Sequence, residues 1–172
     1  MLVHDRVNAK INKYNPMKSV IGDLVSLADD GLFDVLIHGC NCFCTMGAGI
    51  AKAIRIKWPE AYEADLATKK GDKNKLGTIS VAEVKNSKNN VLYIVNAYTQ
   101  YQYGGGVTRA DYDAIRSCMR AVKERFGNLR IGHPKIGAGL ARGDWGIISK
   151  IIEEELSSTD HTLVEYADNK RR

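Results

Sequence analysis

Beyond residue 18, short runs rich in Val, Ile and Leu alternate with longer stretches whose apolar positions recur at helical spacing. That alternation predicts an α/β layered sheet with helices on both faces. Strands are expected at residues 19–22, 35–40, 77–84, 91–98, 129–135 and 162–166, each short and bounded by Gly, Asn, Asp or Pro. The central ones read as continuous apolar runs, which suits strands buried on both sides. Helices are expected at 48–58, 59–70, 109–126 and 145–158. Thr108 offers a cap for the third of these and Asp144 for the fourth, while Gly71 and Gly127 supply stop signals. The weakly periodic residues 1–16 read as an extension of one domain spanning 17–167, and 168–172 as a basic tail. No internal repeat or interdomain linker interrupts that domain.

A length of 172 residues accommodates one compact domain with a sizeable core. Hydrophobic residues at 44% and charged residues at 26% match a folded chain rather than a disordered or fibrous one. There is no bilayer-length apolar run, and the first residues lack the apolar stretch of a secretory signal, so a cytoplasmic protein is expected. Cys40, Cys42 and Cys44 lie too close together to pair, which fits free thiols in a reducing compartment. The formal charge of +5 favours an anionic partner without naming it. Part of that charge sits in Lys69, Lys70, Lys73 and Lys75, read as a solvated face, and in the tail.

Two segments carry candidate chemistry. The first runs from Ile37-His38-Gly39-Cys40-Asn41 through Cys42-Phe43-Cys44-Thr45-Met46 to Gly47-Ala48-Gly49-Ile50-Ala51, a strand entering a small-residue loop and then a helix. Gly47, Ala48 and Gly49 leave amides uncovered at a helix N-terminus, where donors and dipole favour a phosphate. The second, Pro134-Lys135-Ile136-Gly137-Ala138-Gly139-Leu140-Ala141-Arg142-Gly143-Asp144, repeats that arrangement after another strand. Ligands of parallel α/β sheets collect beyond the carboxyl ends of strands, so the two turns can face one cleft and hold a diphosphate. The bland alternative is a pair of tight connections. Neither a Gly-x-Gly-x-x-Gly fingerprint after the first strand nor a Gly-x-x-x-x-Gly-Lys-Ser/Thr loop is present. His38, Cys40, Cys42 and Cys44 recur every second residue, but such positions on one extended segment do not converge on a tetrahedral ion, so no metal is expected.

Gly22-Asp23-Leu24, Asn41 with Gly47-Ala48-Gly49-Ile50-Ala51, Pro134-Lys135-Ile136-Gly137-Ala138-Gly139-Leu140 and the closing Val164-Glu165-Tyr166 together resemble the macrodomain family over residues 17–167. Within it, His38-Gly39-Cys40-Asn41-Cys42 is most similar to the branch of the ADP-ribose 1″-phosphate phosphatase and the ADP-ribosyl-glutamate hydrolases. The resemblance implies a three-layer α/β/α macrodomain with a central mixed, mostly parallel sheet. It implies that Asp23 and Leu24 bind adenine and that Tyr166 packs against it, unless Tyr166 merely closes the sheet. Asn41 would meet the distal ribose rather than only shape its own turn. Gly47, Ala48, Gly49 and Ile50 would supply amides near that ribose and its phosphate, and Gly137, Ala138, Gly139 and Leu140 would wrap the diphosphate.

On the same basis His38 is expected to act as catalytic acid or base, with Asn41 positioning, in removing phosphate from ADP-ribose 1″-phosphate; a satisfied core histidine is the competing reading. The lysine and aspartate of the glutamate hydrolases have no counterpart, because Ala141 stands at the aspartate position and residues 97–100 contain no lysine. Asp144 reads as a helix cap. Expected partners are ADP-ribose, its 1″-phosphate or an ADP-ribosylated protein, with no cofactor, no membrane, no nucleic acid and a monomeric chain. A non-catalytic reader of ADP-ribose uses the same cleft.

Overall fold

The computed structural model describes residues 17–167, so the extension at 1–16 and the tail at 168–172 lie outside the described residues. Six strands are described: β1 (Lys18–Ile21), β2 (Val35–Cys40), β3 (Ile79–Lys85), β4 (Val91–Tyr98), β5 (Arg130–His133) and β6 (Asp160–Glu165). They form one sheet in the order β1-β6-β5-β2-β4-β3. Five run parallel, and β3 closes one edge antiparallel to β4. The helices are α1 (Leu24–Asp29), α2 (Gly49–Lys57), α3 (Pro59–Leu66), α4 (Tyr112–Phe126) and α5 (Trp145–Glu155).

Alternation along the central strands divides the core between two faces. Val35 and Ile37 of β2 join Val95 and Ala97 of β4 beneath α4 and α5. Leu36 and Cys40 point the other way, with Ile94 and Tyr98, toward α1, α2 and α3. This is the expected three-layer arrangement. No helix among the described residues is long and apolar enough to cross a membrane.

Three local expectations are corrected. Asp111, not Thr108, caps α4, its carboxylate accepting from the Ala114 amide at 2.9 Å, so the helix begins three residues later than read. Helix α1 was missed altogether: at six residues it is too short to show a period, and its start signal is Asp23, whose Oδ1 accepts from the Ser26 amide at 2.8 Å. Helix α3 ends at Leu66, and the chain then turns back through a 3-10 turn at Lys73–Lys75. Lys75 is therefore not part of a solvated face; its side chain is 5% exposed and its Nζ lies 3.5 Å from Oδ1 of Asp65.

Candidate functional site

Parallel strands deliver their carboxyl ends to one edge of the sheet, and a cleft of about 1190 Å³ runs along that edge. One end is formed by Asp23 and Leu24 after β1 and by Tyr166 after β6. The middle is the second glycine turn after β5 and the first after β2, so both expected turns face a single cavity. Thr99, Gln100, Tyr103 and Gly104, which follow β4, close the far end together with Asp65 of α3.

The first turn ends in an open helix. Ala48, the residue before α2, is extended and makes no side-chain cap, whereas aspartates cap α1, α4 and α5. The first-turn amides of α2, with Gly49 at φ +57°, thus remain available to an anion, and Gly47, Ala48, Gly49 and Ile50 all line the cleft. The loop ahead of them is fixed by side chains. Asn41 donates from Nδ2 to Thr45 Oγ1 at 2.7 Å and accepts the Phe43 amide on Oδ1 at 2.8 Å. Tyr62 donates to the Cys44 carbonyl at 3.1 Å.

The second turn works differently, since Asp144 occupies the N-cap of α5 and accepts the Ile147 amide at 3.3 Å. That cap takes up a first-turn amide, and neither Trp145 nor Gly146 lines the cleft, so the cleft meets only loop amides on this side. Those of Ile136, Ala138, Arg142 and Gly143 bond to carbonyls inside the turn, while those of Gly139 and Leu140 do not. Gly137, Ala138, Gly139 and Leu140 line the cleft, and Leu140 is 75% exposed there.

His38 is placed elsewhere. It is wholly buried on the α2/α3 side of the sheet and is not among the residues lining the cleft. Asn96 Oδ1 lies 2.6 Å from His38 Nε2, and because the Asn96 amide nitrogen donates to the Ala61 carbonyl and Ser80 Oγ, the imidazole is the donor of that pair. Burial, its largest influence, lowers the His38 pKa to about 4. A neutral imidazole sealed in the core has no access to a cleft ligand, so the competing reading of a satisfied core histidine describes what the structure shows. Asn41 is likewise a turn-former, yet it lines the cleft with one donor hydrogen and one acceptor lone pair to spare. Asp23 also lines the cleft and keeps Oδ2 free while Oδ1 caps α1.

Sequence reading passed over Asp65, a cleft-lining residue that is 1% exposed. A signal existed for Asp65: it stands four residues after buried Ala61, on the face that α3 turns to the sheet. Among the described residues no group of three or more His, Cys, Asp or Glu side chains is arranged to hold a metal ion.

Comparison with known proteins agrees with this geometry. The model of the Macro domain matches residues 37–152. The chain is 38% identical to an uncharacterized 17.5 kDa protein of enterobacteria phage T4, covering 87% of this chain and 96% of that one. It is 28% identical to the ADP-ribose glycohydrolase OARD1 of Bos taurus over 77% of this chain and 81% of the relative. An ADP-ribose 1″-phosphate phosphatase of Aspergillus oryzae is 24% identical, over 88% of this chain and 94% of its own length. With the family model spanning both glycine turns and the sheet between them, this chain belongs to the macrodomain family.

Proposed function

We propose that the cleft binds ADP-ribose and that the chain hydrolyses ADP-ribose 1″-phosphate to ADP-ribose and phosphate. The observation that carries the binding is the meeting of two glycine turns, one ending in an uncapped helix, in a single cavity. A pyrophosphate set between them meets unpaired amides from both sides. Adenine then falls at the β1/β6 end, where Leu24 gives an apolar wall and the free Asp23 oxygen suits an exocyclic amine. The distal ribose falls at the Asn41 and β4 end.

The phosphate monoester is favoured as substrate by two things. The relative named as a phosphatase aligns along nearly its whole length. Residues 97–100 and position 141 provide neither lysine nor aspartate, so a covalent lysine route to removing ADP-ribose from proteins lacks its groups. A second reading, binding without turnover, is favoured by the burial of His38. Calorimetry with ADP-ribose and a phosphate-release assay on the 1″-phosphate are the test. Heat with phosphate release supports the first reading, heat alone the second, and no heat with ADP-ribose removes both.

A further inference from the structure

Two charged side chains, Lys135 and Glu165, line the cleft as a pair. Their backbones are anchored in different parts of it. The Glu165 carbonyl accepts the Gly22 amide at 2.9 Å, which ties it to the corner that carries Asp23 and Leu24. The Lys135 carbonyl accepts the Ala138 amide at 3.1 Å, which makes Lys135 the root of the second glycine turn. Between those anchors the side chains meet, with Lys135 Nζ 3.3 Å from Glu165 Oε2.

Strand order fixes what stands beside them. β6 lies between β1 and β5, so a ligand that reaches from the β1/β6 end to the turn after β5 crosses the end of β6 and the root of that turn. In an adenosine diphosphate the group between base and phosphate is the ribose. With adenine beside Asp23 and the pyrophosphate at the two turns, the adenosine ribose stands at Lys135 and Glu165.

The two side chains are 46% and 43% exposed, so neither is locked into the other and both keep hydrogen-bonding capacity for a ligand. A free 2′ hydroxyl suits the pair as it stands, because a hydroxyl donates to the carboxylate and accepts from the ammonium without separating them. A phosphate on that oxygen does not. It takes away the proton offered to Glu165, adds a charge of about −1.5 to −2 beside a carboxylate, and competes with that carboxylate for Lys135. Dinucleotide sites of other α/β sheets separate the two forms in the same way, an acidic side chain reading the 2′ hydroxyl and an unpaired cation accepting the 2′-phosphate. Here the cation is present but already faces a carboxylate.

Resting on the function proposed above, we infer that the Lys135–Glu165 pair sets the specificity of the cleft at the adenosine ribose: it accepts a free 2′ hydroxyl, and Glu165 turns away ADP-ribose that carries a 2′-phosphate.

Calorimetry of the full chain with ADP-ribose and with ADP-ribose 2′-phosphate tests this. The readout is the ratio of the two dissociation constants, in which a general weakening of the site cancels. The parent should bind the 2′-phosphate about tenfold less tightly or worse. Glu165→Gln removes the repulsion and frees Lys135, so the ratio should fall to about one or invert. Lys135→Gln leaves the carboxylate alone and should widen the ratio by about threefold. An ion pair this exposed contributes little to folding, so both variants should melt within about 2 °C of the parent. A parent ratio within about twofold of one overturns the inference without any variant, as does a ratio that Glu165→Gln leaves in place or that Lys135→Gln fails to widen. Equal binding of both ligands by the parent removes the selectivity and leaves the proposed function standing. No binding of ADP-ribose removes the proposed function itself.

Discussion

The two glycine turns look alike as strings of small residues, yet they are held by opposite means. The first is fixed from outside by side chains: Asn41 spans it, Tyr62 bonds the Cys44 carbonyl, and Lys75 reaches the Cys42 carbonyl at 3.4 Å. Its glycines are uncrowded, for a Cβ on Gly47 would find only the Thr45 carbonyl at 3.8 Å. The second is held by shape. A Cβ on Gly143 would stand 2.6 Å from the Gly137 carbonyl oxygen, 2.6 Å from Ile148 Cδ1 and 2.9 Å from Ala110 Cβ. Small residues thus leave one turn open toward the cleft and allow close packing of backbone on helices in the other.

Gly143→Ala is the strongest way to break that comparison. The Gly143 amide bonds the Gly137 carbonyl at 2.7 Å and closes the neck of the loop, and backbone cannot yield as a flexible side chain does. A loss of about 3 kcal/mol in unfolding free energy is expected by denaturant titration. A variant as stable as the parent would show that the neck is not packed as described.

Asn41→Ala probes the other turn and should cost less. It removes two hydrogen bonds at a partly buried site, about 1–2 kcal/mol of stability. Because those bonds shape the loop leading into the open end of α2, ADP-ribose affinity should fall as well, by about tenfold in calorimetry. A loss of stability without a loss of affinity would mean that the α2 amides are positioned without the Asn41 bridge.

The same contrast explains what could be read from the sequence. Residues 35–40 and 91–98 were bounded as strands correctly because both are apolar runs between polar breaks, and burial on two faces leaves no other pattern. The turns were visible because small residues between a strand and a helix are conspicuous whatever their purpose. Their purpose was not visible, since a glycine required by a helix 2.6 Å away and one open to a ligand are the same letter. The setting of His38 was hidden for a related reason: alternation puts it on a face with Leu36 and Cys40, but only the position of Asn96 on β4, a partner 58 residues away, shows the imidazole turned into the core. Asp65 and Lys75 were hidden as one charge among many, and their pairing depends on α3 ending early enough for the chain to fold back.

The smallest expected effect sharpens the comparison most. A Cβ on Gly139 would meet nothing within 4 Å, and its φ is not in the left-handed region, so Gly139→Ala should change stability by less than about 0.5 kcal/mol. Any consequence must then appear in binding. If the Gly139 and Leu140 amides grip the pyrophosphate, a methyl at the tip, facing the cleft, stands where the ligand backbone approaches, and affinity for ADP-ribose should fall while the melting temperature of the free chain does not move. If affinity also stays within about twofold, the open end of α2 carries the phosphate alone, and the second turn is a packed corner that shapes the cleft without holding its ligand.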